Sequence, residues 1–308
     1  MIIVRYARFW FGLGMSFIVL ALLSILIFNL NLGPDFTGGD VFEIRFESDT
    51  STEELREIFA SGDNPQPSLV SPLDDTRYRL EFPPLEDDNQ VIQVLQDTYE
   101  DDEAFQIEAQ SRISPVIGSE LLNRSVIALG VVILGIIIFI TYVFKRVSYP
   151  VPSIYYGFAA IVALAHDIII PVGIFAFLSY LDILTIDLLF IVALLSILGT
   201  SVNDTIVVFD RIRENVDIDK KNNFETIVGQ SIQQTVMRSV STSFTLLVVL
   251  GAIFFLGGSS VQYFALALFI GVLFGTYSSL FIASPFIIFI YRHRKAKEEQ
   301  SVSAPAES

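Results

Sequence analysis

Six long runs of apolar residues constrain the fold of this 308-residue chain more than any other feature. Crossing the hydrocarbon core of a bilayer takes about 20 helical residues. Because lipid cannot satisfy backbone N–H and C=O groups, runs of that length are expected to be helices. The mean hydropathy of +0.59 also predicts a polytopic α-helical membrane protein. The runs cover residues 9–30, 126–144, 154–178, 184–209, 240–256 and 263–290.

The first run is predicted to be an uncleaved transmembrane helix. Arg5 and Arg8 precede it, as they would a signal peptide, but the apolar stretch is longer than a typical signal core. The sequence that follows, Asn-Leu-Gly-Pro-Asp at 31–35, is also unlike a small-residue cleavage site.

Residues 31–125 are expected to form a separate acidic domain between the first and second helices. This segment holds 22 Asp and Glu against 6 Arg, a net charge of −16, so the rest of the chain is close to neutral. Alternating and helical apolar patterns give the order βαββαβ, which suggests a ferredoxin-like two-layer α/β domain. We expect a binding or mechanical module. The expected strands are 41–47, 67–73, 76–82 and 104–113, and the expected helices begin near Ser51 and cover 89–99.

Composition excludes several kinds of chemistry. The chain has no cysteine, so disulfides, thiolate metal sites and cysteine nucleophiles are excluded. An acidic exposed domain argues against nucleic acid as a partner. His166 and His293 are the two histidines, which leaves little material for a metal centre.

The distribution of Lys and Arg predicts the orientation in the membrane. Six crossings place both termini on one side, and basic loops favour the cytosol. The domains expected are 1–30 (cytosolic N-terminus and first helix), 31–125 (extracytoplasmic α/β domain), 126–295 (helices two to six) and 296–308 (a disordered cytosolic tail). The basic residues on the cytosolic side are Arg5, Arg8, Lys145, Arg146, Arg211, Arg213, Lys220, Lys221, Arg238, Arg292, Arg294, Lys295 and Lys297.

Asp204 is the candidate functional residue because it lies inside the fourth apolar run. An Asp at the centre of a membrane helix costs about 2.5–3.5 kcal/mol, and such residues usually serve a function. It borders a stripe of mostly small or polar residues, which could instead be a helix-packing seam. We expect an ion or proton site. The stripe consists of Ser196, Gly199, Thr200, Asn203 and Val207.

Three other groups of polar residues accompany it. His166 and Asp167, in the third run, could relay protons or could only hydrogen-bond neighbouring helices. Asp210 and Arg211 end the fourth helix, where a charged cap at the membrane interface is expected. Arg238, at the start of the fifth helix, is expected to approach Asp204, and partial burial would favour pairing of the two charges. Pro171 is expected to kink the third helix or to free a carbonyl group.

Four sequence motifs, spread over nearly the whole chain, resemble motifs of the SecF family of bacterial protein translocation and occur in the same order as in that family. NDTIVVFDRIREN at 203–215 is similar to its fourth-helix signature, and AHDIIIPVG at 165–173 to its third-helix motif. GPDFTGGD at 33–40 resembles the motif after the first helix, although the family usually has Ile where Pro34 stands. Gln234, Thr235, Arg238 and Ser239 resemble the start of its fifth helix.

The resemblance implies a six-helix transmembrane bundle of the resistance-nodulation-division (RND) type that pairs with SecD and uses the proton-motive force to promote late polypeptide translocation. Asp204 falls on the family's proton-relay aspartate and Arg238 on its fifth-helix arginine, and we count Asn203, Asp167 and His166 with the relay. Protons would be the coupling ion, with no cofactor, metal or catalytic residue. The residues expected to matter as motif positions are Asp35, Phe36, Thr37, Gly38, Gly39, Asp210 and Arg211.

The partners implied by the resemblance are SecD, the SecYEG translocon, YajC-like or YidC-like membrane subunits and unfolded secretory polypeptide. The membrane would be the bacterial inner membrane, or a thylakoid in a photosynthetic source. Three alternatives remain: another RND-type exporter subunit, an intramembrane aspartyl hydrolase using Asp167 and Asp204, and a scaffold without ion flow.

Overall fold

The structure, a computed structural model, describes residues 2–48, 50–62, 64–99, 104–144, 150–219 and 222–303. Six of its helices are long and apolar enough to cross a membrane, by length and composition, which confirms the predicted number of spans. Lys145, Arg146, Lys220 and Lys221, on which the expected orientation partly depends, lie outside the described residues.

The small domain follows the first spanning helix. After α1 (Ile2–Arg5) and α2 (Ala7–Phe28), its elements alternate as expected from the sequence. Ser51 caps the first long helix of the domain, because its side chain accepts a hydrogen bond from Glu54 N at 3.1 Å. The elements are α3 (Pro34–Thr37), β1 (Gly39–Phe46), α4 (Thr52–Ala60), β2 (Leu69–Pro72), β3 (Arg77–Phe82), α5 (Asn89–Thr98) and β4 (Phe105–Ile113).

The four strands form one sheet in the order β2-β3-β1-β4, and all three strand pairs are antiparallel. Strand β1 is central, and its alternate residues Phe42, Ile44 and Phe46 are fully buried. They pack in one cluster with apolar residues of α4 and α5, including Leu55 and Leu95. Burial of each large side chain stabilises the fold by about 1.5–3 kcal/mol, so this cluster holds the two layers together.

The remaining helices are longer than the apolar runs that predicted them. The first begins at Pro115, within the segment expected to belong to the small domain, because proline suits the first helical position and Gly118 packs closely on the backbone of Phe36. The fourth spanning helix continues past the end of its apolar run, and the fifth begins well before its run, each as a polar segment. The bounds are α6 (Pro115–Val143), α7 (Ser153–Tyr180), α8 (Leu188–Ile218), α9 (Phe224–Leu256), α10 (Ser259–Ser278) and α11 (Ser284–Ser303).

A π-helical turn, Ser279–Ala283, joins α10 and α11 into one continuous helical run. This turn was not predicted. The run continues to Ser303, so the first part of segment 296–308, expected to be disordered, is helical. Its Lys, Ala, Glu and Gln residues all favour a helix. Residues 304–308 lie outside the described part of the chain.

Helix α7 lies at the centre of the bundle. Of the spans that start after the small domain, α7 and the continuous run α10–α11 are the most extensively buried. It contacts α2 so closely that a Cβ added at Gly173 would lie 2.5 Å from Ala21 Cα. Ser24 of α2 donates a hydrogen bond of 2.7 Å to the Gly173 carbonyl. The helix continues through Pro171, whose missing N–H leaves the carbonyl of Asp167 without its usual intrahelical donor.

Candidate functional site

Asp204 lies in a polar cleft between α8, α9 and α10. The cleft encloses a cavity of about 90 Å³, which is large enough for several water molecules. Asp204 is half-buried. The lining consists of Thr200, Ser201, Asn203, Asp204, Thr242, Ser243, Leu246, Val272, Gly275 and Thr276.

Hydroxyl groups and one guanidinium surround the Asp204 carboxylate. The side chain of Ser243 lies beside it, and Thr276 Oγ1 donates a hydrogen bond to Ser243 Oγ at 2.6 Å. Arg238 lies within electrostatic range of Asp204. Arg238 thus approaches Asp204 as expected, but the two form no ion pair among the described residues, and Arg238 is exposed on α9.

The polar stripe beside Asp204 is largely exposed, and its members Thr200 and Asn203 also line the cleft. Ser196, Gly199, Thr200 and Asn203 are all exposed, and only Val207 is partly covered. A Cβ added at Gly199 would meet nothing within 4 Å. Among the described residues, no helix therefore packs against this stripe.

Asp167 lies on the other side of α8 and is fully buried. Its Oδ1 is 2.9 Å from Nδ1 of His166. Its Oδ2 accepts hydrogen bonds from Ser201 of α8 and from Ser278 of α10, the latter at 2.8 Å. The carboxylate thus joins three helices.

His166 is fully buried as well. Its ring stacks on Tyr277, with centroids 5.9 Å apart and planes 22° apart. Nε2 has no hydrogen-bond partner among the described residues. One polar atom of the pair is therefore unsatisfied.

Sequence reasoning did not identify the hydroxyl groups of this site. Ser201, Ser243, Thr276 and Ser278 lie in apolar helices, where serine and threonine often bond only to their own helix. One available signal was the spacing of Ser201 and Thr205, which share a face of α8 opposite the exposed stripe. Thr205 Oγ1 lies 2.9 Å from Ser279 Oγ in the π-helical turn.

Asp210 and Arg211 are not part of the cleft. Asp210 pairs with Arg213 at 2.7 Å and Arg211 with Glu214 at 2.5 Å, each one turn along α8. Arg211 Nε also donates to Gln234 Oε1 of α9 at 2.6 Å. These contacts fit the charged helix cap that the sequence predicts.

The glycine-rich motif at 33–40 connects the small domain to the spanning helices. Asp35 Oδ2 accepts a hydrogen bond of 2.9 Å from Leu188 N at the start of α8. Thr37 Oγ1 donates to the Gly33 carbonyl at 3.1 Å. Phe36 is buried among apolar residues of α6, α7 and α8. These motif residues lie outside the polar cleft and hold the junction together.

The two glycines of this motif allow close backbone contact. Gly38 has φ +76°, and a Cβ there would lie 2.6 Å from Pro115. Gly39 has φ +152°, and a Cβ there would lie 2.3 Å from the carbonyl oxygen of Phe82. Side chains at either position would separate the small domain from α6 or β1 from β3.

A buried carboxylate completes the junction. Glu81 of β3 accepts hydrogen bonds from Arg79 Nε at 3.0 Å and from Thr185 Oγ1 at 2.9 Å. Burial raises the pKa of Glu81 in spite of these donors. Burial likewise raises the pKa of Asp187, which caps α8 by accepting from Phe190 N at 2.8 Å.

Comparisons with known proteins agree with this architecture. The family model described as "Protein export membrane protein SecD/SecF, C-terminal" matches residues 91–293. Protein translocase subunit SecF of Thermobaculum terrenum is 36% identical over 299 residues, which cover 93% of this chain and 92% of that protein. Protein translocase subunit SecDF of Thermus thermophilus is 34% identical over 88% of this chain and 36% of its own length.

A solved structure has a similar fold. The crystal structure of SecDF from Thermus thermophilus, called a translocon-associated membrane protein, matches with a TM-score of 0.78 and 31% identity. The match covers 94% of this chain but 38% of the SecDF chain. The matched region includes both the small domain and the spanning helices. The chain therefore belongs to the SecF family of protein translocase subunits, which act in Sec protein export.

Proposed function

We propose that this chain is one half of a proton-driven export motor whose other half is a homologous SecD chain. The observation that carries the proposal is the exposed stripe Ser196, Gly199, Thr200 and Asn203 beside Asp204. Lipid is a poor environment for such groups, so a second polytopic chain should cover them. The Thermus thermophilus relative, named SecDF, is long enough to hold both halves, and this chain matches 36% of it.

The proposed orientation follows from charge. The small domain, whose sheet order β2-β3-β1-β4 is that of a ferredoxin-like fold, faces the extracytoplasmic side. Both termini face the cytosol of a bacterial inner membrane. The domain would contact unfolded polypeptide as it leaves the SecYEG translocon, with YajC-like or YidC-like subunits nearby.

Asp204 would carry the coupling proton. It is a carboxylate in a spanning helix, it faces a cavity of about 90 Å³, and Arg238 lies within electrostatic range. One charge that crosses roughly 150 mV releases about 3.5 kcal/mol. That energy shifts a two-state equilibrium by a few hundredfold, which is sufficient for a conformational cycle.

Replacement of Asp204 tests the coupling. Asp204→Asn keeps the shape and hydrogen bonding of the side chain but cannot ionise, so proton-driven completion of export should be lost while early ATP-driven translocation continues. Arg238→Met should lose the same step. The measurement is export into membrane vesicles with and without a proton gradient. Asp217→Asn, exposed near the end of the same helix and outside the cleft, is the matched control and should behave as wild type.

Retention of gradient-dependent export by Asp204→Asn would reject the coupling role. If that variant also stabilised the partner chain normally, the protein would be a scaffold without ion flow.

Cross-linking tests the assembly. A cysteine placed at Gly199, in a chain without other cysteines, should form cross-links to the SecD-like chain in native membranes. A cysteine at Val249, exposed on α9 outside the stripe, is the control. Equal labelling of both positions by a lipid-soluble reagent, with no cross-link at Gly199, would contradict the proposed interface.

A further inference from the structure

We infer that His166 and Asp167 form a second proton-accepting pair, which receives the coupling proton from Asp204 through the hydroxyl of Ser201. The inference rests on the proposed coupling role of Asp204 and adds an acceptor inside the bundle. It assigns a function to the fully buried histidine and aspartate of α7.

Ser201 connects the two carboxylates. It lines the cavity that also contains Asp204, and its Oγ donates a hydrogen bond to Asp167 Oδ2. A protonated Asp204 can give its proton to Ser201 Oγ, directly or through water in the cavity, while Ser201 passes its own proton to Asp167. After the transfer Asp204 is ionised, Asp167 is neutral, and the hydroxyl of Ser201 is restored.

The surroundings of the pair make Asp167 the natural end of this path. Among the described residues, the other titratable groups that face it are Asp204 on α8 and Tyr277 on α10. Of the other helices that border α7, α2 has no charged residue after Arg8, α6 has none after Arg124, and α11 has none before Arg292. A buried carboxylate without a cationic partner from another helix is a group that can gain a proton.

Protonation of Asp167 would change contacts between three helices. Oδ2 now accepts from both Ser201 and Ser278, and an oxygen that becomes an O–H must donate instead. At least one serine bond must then break or reverse. Ser278 can donate to another acceptor instead, because its Oγ is 3.0 Å from the Gly275 carbonyl oxygen. The proton would therefore weaken the tie between α7 and α10.

Unused hydrogen-bonding capacity at the pair supports a site that changes its protonation state. Nε2 of His166 is buried without a partner in the described chain. The backbone carbonyl of Asp167 lacks its intrahelical donor because Pro171 has no N–H. A pair that only held helices together would be expected to have its polar atoms satisfied.

The test uses the complex with the SecD-like chain, reconstituted in vesicles with a proton gradient. Asp167→Asn and Ser201→Ala should each reduce the proton-driven stage of export by about 100-fold, as for loss of a positioned proton-transfer group. Thr205→Val is the matched control, since it removes a buried inter-helix hydroxyl of α8 that does not line the cavity. It should export at the wild-type rate.

Infrared spectroscopy separates proton transfer from packing. In the wild type, imposing a gradient should change the C=O band of two protonated carboxyl groups, one lost in Asp204→Asn and the other in Asp167→Asn. In Ser201→Ala the Asp204 band should still respond and the Asp167 band should not. If the Asp167→Asn protein does not assemble, the result for Ser201→Ala decides the test, because that variant leaves both carboxylates in place.

Wild-type export by Ser201→Ala or Asp167→Asn would overturn the inference, as would an equal loss in Thr205→Val. Loss in Asp204→Asn alone would leave the proposed function intact. Wild-type export by Asp204→Asn would instead reject the proposed function itself.

Discussion

Gly39 illustrates how single residues control the attachment of the small domain. Its φ of +152° is unfavourable for any side chain, and its backbone runs against the carbonyl of Phe82. Gly62 also has a positive φ, +72°, but a Cβ there would meet nothing within 4 Å. Substitution at Gly62 would therefore introduce backbone strain alone, whereas substitution at Gly39 would introduce strain and steric overlap.

We predict that Gly39→Ala destabilises the protein more than Gly62→Ala. Both variants bear backbone strain of about 1–3 kcal/mol. Gly39→Ala adds overpacking of about 1–3 kcal/mol, because the obstructing atom is backbone and cannot rotate away. Thermal unfolding in detergent would measure the difference. Equal melting temperatures would show that β1 and β3 can separate without cost.

The sequence identified functional candidates whose residue type is unusual for their surroundings. It did not identify those whose residue type is common there. Asp204 was recognisable because a carboxylate in an apolar run is expensive. Ser278 was not, because a serine costs little in a helix, and only the packing of α10 on α7 brings it to Asp167. Whether Arg238 forms an ion pair with Asp204 also depends on helix rotation, which spacing alone does not determine.

At the scale of elements, the start of α8 is the point where the small domain meets the bundle. Asp187 and Asp35 both accept backbone N–H groups there, at Phe190 and Leu188. Carboxylates at a helix N-terminus are stabilised by the helix dipole. Glu81 lies near Asp187 but has no helix terminus of its own, and burial raises its pKa.

Glu81 should make this junction pH-dependent. Because burial raises its pKa above the ordinary value of 4.5, the folded protein binds more protons than the unfolded chain between 4.5 and the raised pKa. Its contribution to stability is therefore fully present below 4.5 and is lost as pH rises through the raised pKa. Glu81→Gln should flatten the dependence of melting temperature on pH in that window.

Glu57→Gln, on the exposed face of α4, is the control and should keep the wild-type slope. A Glu81→Gln protein with an unchanged slope would show that the junction does not hold a proton.

The order of elements in the small domain could be read from alternation and helical spacing, and its strands lie within two residues of the expected bounds. The π-helical turn at Ser279–Ala283 could not be predicted. A π-helical turn has one more residue than an α-helical turn, and within a run of apolar residues this does not alter the sequence pattern. It changes only which side chains point into the bundle. The early start of α6 depends on contact between Gly118 and Phe36, which local patterns do not reveal.

At the scale of the whole molecule, orientation can be tested directly because the chain has no cysteine. A cysteine at Ser68, exposed in the small domain, should react with an impermeant maleimide from outside the cell. A cysteine at Asn222, exposed between α8 and α9, should react only after the membrane is opened. External labelling at Asn222 but not at Ser68 would reverse the proposed topology.

The continuity of α8 gives the molecule a mechanical property. This one helix of 31 residues begins at the junction with the small domain, passes the polar cleft at Asp204, and ends among the charged residues beyond Asp210. Asp204 lies about 24 Å along the axis from Leu188 at 1.5 Å per residue. A tilt of about 10° at the cleft would move the far end by roughly 4 Å, close to the spacing of two strands. If Asp204 carries the coupling proton as proposed, α8 would act as a lever arm that converts a small repacking in the membrane interior into a displacement of the small domain.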